Sequence, residues 1–211
     1  MTTPSPAPVP PRRDGAATRQ RLLRAALELF TTNGFLATTT PEIAARAAVA
    51  EGTIYRHFSG KEELLVSAYR EAQVWGLEQI KGEETDRSLP PKERLLGLAR
   101  RLVSSAQSDP AMTRMLLRRR DERYLDDAGR QAAREFREAL QQIMASGKSD
   151  GQVRAGPADL WTAVWLALVA FTAERVSSGE WTPEHPQVAL ALGAAWDAIS
   201  AGPGGSGAAR Q

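Results

Sequence analysis

Between Thr18 and Ala201 the apolar residues recur at three- and four-residue spacing, and no stretch alternates apolar with polar residues as a half-buried strand does. A chain patterned this way buries its amphipathic stripes by packing helix on helix. The sequence therefore predicts an all-α protein. Its ends are different. Five of the 13 prolines fall within residues 1–11, so residues 1–13 are expected to form a disordered arm. Residues 202–211, Gly-rich and with nothing to bury, read as a flexible tail.

The helix signals between these ends are specific. Leu23, Ala26, Leu27 and Phe30 give a first helix, Thr18–Thr32, one apolar face, and Asn33-Gly34 ends it. A short second helix starts at Thr38-Thr39-Thr40-Pro41-Glu42 and runs to about Ala47. Either Thr40 caps it with Pro41 at the first helical position, or Thr39 and Glu42 form a capping box. A tight turn at Ala48-Val49-Ala50 leads to a short helix, Glu51–Phe58. A long helix then starts at Ser59 or Gly60 and runs to about Lys81. After a charged linker, Gly82–Pro91, helices are expected at Lys92–Gln107, Ala111–Arg120, Glu122–Ser146, Ala158–Ser178 and Pro183–Ala201.

Composition removes whole classes of chemistry. The 211 residues hold no Cys and two His, so thiolate nucleophiles, disulfides and multi-histidine metal sites are not expected, nor is any cofactor. No Gly-x-Ser-x-Gly elbow or His-Glu-x-x-His pair occurs, and the chain does not read as an enzyme. The most apolar stretch, Leu160–Ala173, is shorter than the ~20 residues that span a bilayer, so a cytoplasmic protein is expected. Net charge is +2, but it is unevenly placed. Residues 1–70 carry nine Lys+Arg against six Asp+Glu, so the modest excess lies in the N-terminal third.

Two short helices joined by a tight turn, after a longer one, suggest a helix-turn-helix. Ala44 is small where two helices cross. Ile43, Ala47, Ile54 and Phe58 are placed to pack on Leu23, Leu27 and Phe30. The outward side of the last short helix keeps Glu51, Gly52, Thr53, Tyr55, Arg56 and His57, the hydrogen-bonding groups that a DNA major groove takes.

Residues 16–65 resemble the DNA-binding domain of the TetR family of transcriptional repressors, above all in Gly52-Thr53-Ile54-Tyr55-Arg56-His57-Phe58, with Lys61 and Leu64 following at the same spacing. Thr39-Thr40, Ile43-Ala44 and Ala47 sit in register upstream. The resemblance implies that Thr40 bonds a phosphate at a helix N-terminus, with Thr39 beside it. It also implies that Tyr55 and His57 touch the sugar-phosphate backbone and that Lys61 binds a further phosphate. Glu51, Gly52, Thr53 and Arg56 then hold the base-reading positions. Two residues depart from the family pattern: Ala48 stands where Gly is usual, and Ala50 where Ser is usual. Ala in a left-handed turn position costs roughly 1 kcal/mol, as does loss of a capping oxygen. A slightly strained turn is expected, with Glu51 as a substitute cap.

The resemblance further implies that residues 14–65 form the helix-turn-helix domain and that a long helix joins it to a helical ligand-binding and dimerisation domain, residues 66–201. Double-stranded operator DNA, a second copy of the chain and a small apolar or aromatic effector are the implied partners. A DNA-binding protein of the same fold without an effector is the alternative. Ala158–Ser178 is apolar nearly all round and needs two buried faces, so it and the last helix are the dimer candidates. Trp75, Met112, Met115, Leu116, Tyr124, Phe136, Leu140, Trp161 and Trp165 are the candidate lining of an effector cavity. The eight Arg between Arg114 and Arg137 are interleaved with acids and read as a solvated, ion-paired surface.

Overall fold

A computed structural model describes residues 13–81, 88–118 and 125–202. Among these residues the regular structure is helical: α1 Arg13–Thr32, α2 Thr40–Arg46, a 3₁₀ helix Glu51–Arg56, α3 Lys61–Lys81, α4 Pro91–Ser108, α5 Pro110–Leu117, α6 Asp127–Ser149, α7 Ala158–Ser177 and α8 Pro186–Asp197. A lone antiparallel bridge joins Val153 to Ser200. The chain divides into two compact units between Leu65 and Val66, within α3. Most of the expected arm and tail, and Tyr124, lie outside the described residues.

In the first unit, α1, α2 and the 3₁₀ helix close on a small core. Leu22, Ala26, Phe30, Ile43, Ala44, Ile54 and Phe58 are at most 2% exposed, so the apolar face read from the spacing is the buried one. Residues 13–17 already belong to α1, which starts before Thr18.

In the second unit, α7 packs on α4, α5, α6 and α8. Thr162, Trp165, Val169, Thr172, Ala173 and Val176 form its buried stripe. The other side stays open, with Leu160 and Phe171 about half exposed and Leu190 of α8 72% exposed. At 20 residues α7 is long and apolar enough to cross a bilayer, so shortness does not exclude a span, contrary to the sequence expectation. What marks it as a core helix is the packing of four neighbours along one face.

Ends of three helices differ from expectation. Helix α8 begins at Pro186 rather than Pro183, because His185 caps it, its Nδ1 accepting from Gln187 N at 3.3 Å, with Pro186 at the first helical position. Helix α6 runs through Gly147 to Ser149, and its described start is set by Asp126, which accepts from Gly129 N at 2.6 Å. Gly147 is buried, and a Cβ there would lie 2.6 Å from Val153 Cγ2, so this glycine provides close packing and does not stop the helix. Helix α5 stops at Leu117, three residues short of Arg120.

Candidate functional site

The N-terminus of α2 settles the two capping schemes in favour of Thr39. Its backbone N–H and its hydroxyl donate to Glu42 Oε2 at 2.7 and 2.8 Å, and Glu42 N donates back to Thr39 Oγ1 at 3.5 Å. These bonds, with Lys61 nearby, hold the Glu42 carboxyl below its ordinary pKa. Thr40, the first helical residue, has its hydroxyl 3.5 Å from Tyr55 Oη. Tyr55 is 58% exposed, so Thr40 and Tyr55 present two adjacent hydroxyls to solvent.

The turn between α2 and the 3₁₀ helix carries the strain expected of it. Ala48 has φ +53°, the one positive φ among the described non-glycine residues. The turn after α1 instead gives its positive φ to Gly34. Ala50 precedes the 3₁₀ helix without any side-chain cap, so Glu51 does not take that role. The expected α-helix Glu51–Phe58 is thus replaced by six residues of 3₁₀, opened by Thr53 N donating to Ala50 O at 2.9 Å. In 3₁₀ geometry residues three apart eclipse. Ile54 takes the core side, Gly52 aligns with Tyr55, and Thr53 aligns with Arg56. Glu51, Gly52 and Arg56 are exposed, while Thr53 and His57 are half-buried.

Lys61 does more than the sequence suggests. Its Nζ donates to Phe35 O at 2.9 Å and Thr38 O at 2.8 Å and lies 4.4 Å from the centre of the Phe35 ring. It ties the first turn of α3 to the loop before α2, which leaves one of its three N–H donors for a phosphate. Sequence reasoning missed this tie, since both of its hydrogen-bond acceptors are backbone oxygens. Thr39 likewise spends its amide and hydroxyl on Glu42.

In the second unit, α3, α5, α6 and α7 enclose a cavity of about 950 Å³. Of the nine candidate lining residues, Leu116 and Phe136 reach it. Met115, Leu140 and Trp165 are fully buried core. Trp75 and Met112 are half-buried and do not line it. Trp161 is turned outward, its Nε1 donating to Ala155 O at 3.2 Å and its ring beneath the Arg154 guanidinium. The rest of the wall combines Tyr69, Leu117 and Leu166 with small and polar residues that hydrophobicity does not mark, including Gln73, Ala133, Asp159, Thr162 and Ala163. Arg118 and Arg137, both exposed, stand at its edge. Among the described residues no group of three or more His, Asp or Glu is placed to hold a metal ion.

Comparison with known proteins places these features. Residues 22–68 match the family model described as bacterial regulatory proteins, tetR family. The helix-turn-helix regulator YerO of Bacillus subtilis is 37% identical over 78 residues, 36% of this chain and 27% of that protein. The fatty acid metabolism regulator protein of Bacillus subtilis is 26% identical over 138 residues, 64% of this chain and 71% of that protein. The chain thus aligns with about a quarter of the first relative and about seven-tenths of the second. A TetR family regulator from Marinobacter aquaeolei superposes with a TM-score of 0.75 at 19% identity, over 90% of this chain and 99% of that one. The regulator FadR from Bacillus subtilis, solved with stearoyl-CoA, gives a TM-score of 0.65 at 22% identity over 84% and 95%. The sequence likeness is concentrated in the helix-turn-helix unit, while the helical architecture continues through the second unit. The N-terminal unit thus carries the helix-turn-helix domain of the tetR family of bacterial regulatory proteins.

Proposed function

We propose that this protein is a homodimeric, cytoplasmic DNA-binding repressor, released from a pseudo-palindromic operator by a small-molecule effector. The observation that carries the reading is the exposure of Tyr55 and Arg56 on the 3₁₀ helix, with the hydroxyl of the half-buried Thr40 3.5 Å from Tyr55 Oη, on a core that fixes both short helices. Two such units related by a two-fold axis suit successive major grooves. Thr40 and Tyr55 donate to phosphate, with Thr39 and His57 flanking them and Lys61 adding charge. Arg56, with Glu51, Gly52 and Thr53, faces the bases.

The cavity supports the effector half of the reading, and its size lies within the range of small-molecule sites. Its apolar residues Leu116, Phe136 and Leu166, with two arginines against the single carboxylate of Asp159 on the lining, favour an amphipathic anion. The relatives named for fatty acid metabolism and solved with stearoyl-CoA favour a long-chain acyl thioester in particular. This narrows the apolar or aromatic molecule that the sequence suggests.

Tyr55→Phe tests the DNA half cleanly, because it removes one hydroxyl from an exposed ring. Lys61→Ala is less clean, since it also releases Phe35 and Thr38. The Phe variant is expected to bind the chain's own promoter region about tenfold more weakly than wild type at matched salt, with an unchanged melting curve. Equal affinity in a mobility-shift titration removes Tyr55 from the interface. A wild-type protein that shifts no fragment of its flanking DNA refutes the repressor reading.

A further inference from the structure

Gln73 lines the α3–α5–α6–α7 cavity, is only 3% exposed, and makes no side-chain hydrogen bond among the described residues. Three buried threonines of this unit are paired within their own helices, whereas the Trp165 Nε1 is buried without a partner among the described residues and away from the cavity. Thr113, Thr162 and Thr172 donate to the carbonyls of Asp109, Ala158 and Leu168 at 3.1, 2.8 and 2.9 Å. The Gln73 carboxamide is not one of the sealed, unpartnered polar groups; it opens on the cavity, where an entering ligand is the group that can pair with it.

We propose that Gln73 is the specificity-determining residue of the effector cavity, its Nε2 donating to the acyl carbonyl oxygen of a bound long-chain thioester. The inference rests on the effector reading above and deepens it. A neutral amide does not offset the desolvation of a buried carboxylate, so the group it takes is a neutral carbonyl. The charge of the ligand belongs at the exposed Arg118 and Arg137, and its chain along Leu116, Phe136 and Leu166. One turn beyond Gln73, a Cβ on Gly76 would lie 2.6 Å from Leu116 Cδ1 and 2.9 Å from Phe136 Cε2. Helix α3 is therefore already packed as closely on two cavity residues as its backbone allows. A ligand that moves either of them bears on α3 directly.

The test compares palmitoyl-CoA with S-hexadecyl-CoA, which keeps chain and head but replaces the carbonyl by a methylene. Both are titrated calorimetrically into the full-length wild type, Gln73→Leu and Gln73→Met. Wild type is expected to bind the thioester about tenfold more tightly than the thioether, and both variants to bind the two ligands alike, at the thioether's affinity. Equal wild-type affinities overturn the role of Gln73 and leave the effector reading standing. So does a preference that survives in a folded variant. If wild type binds neither ligand, the acyl-effector reading fails and this inference fails with it. The wild-type comparison needs no variant, so a misfolded substitution does not blunt it.

Discussion

Ala48 holds a left-handed conformation, φ +53°, that its Cβ opposes, and Ala50 offers no side-chain oxygen to the first N–H groups of the helix it precedes. Both costs were legible only through the family resemblance, because Ala48 and Ala50 stand where Gly and Ser are usual. Ala48→Gly and Ala50→Ser are each expected to stabilise the protein by about 1 kcal/mol, raising the melting temperature by about 2–4 °C. Thermal melts followed by circular dichroism measure this, and no rise in either variant means that the turn is not strained. The residue scale also held what sequence did not show. Lys61 reads as a phosphate ligand by position, yet two backbone carbonyls 23 and 26 residues upstream already engage it. Backbone acceptors carry no residue signature.

At the scale of elements, spacing identified every described helix, and the differences lie in what the ends do. His185 displaced Pro183 as the start of α8, and Gly147 was absorbed into α6, since a glycine or proline announces a break without saying whether packing uses it. The segment Glu51–Arg56 is 3₁₀ rather than the expected α-helix, and its side-chain cap is missing. Helix α2 shows the opposite case, a complete capping box whose carboxylate is held in its charged form. With the Glu42 pKa below 4.5 when folded, its contribution to stability is present above that value and is lost as pH falls through the lowered one. Glu42→Gln keeps an acceptor but no charge. It is expected to melt below wild type at pH 7, with the gap closing under acid conditions. A gap that does not depend on pH shows that the charge contributes nothing to the cap.

For the whole molecule, the sequence revealed which helices enclose a cavity far less well than it revealed the fold. Hydrophobicity marks residues that must be buried, and Met115, Leu140 and Trp165 are fully buried without lining the cavity. A cavity exists where side chains are too small or too polar to fill the gap, and such residues leave no periodic trace. The same pattern was informative for α7. Apolar on nearly every side, it is covered on one side by α4, α5, α6 and α8 and leaves Leu160 and Phe171 open, with Leu190 on α8 more exposed still. A second copy of the chain is the partner that the proposed two-fold repressor supplies for this face. Leu160→Glu/Leu190→Glu puts charge there at positions that are half or more exposed, so the single chain is expected to fold as before. Sedimentation equilibrium should then show a dimer for wild type and a monomer for the variant. Loss of paired half-site binding should weaken operator affinity by about a hundredfold or more. A wild-type monomer, or a variant that remains dimeric, would remove α7 and α8 from the interface.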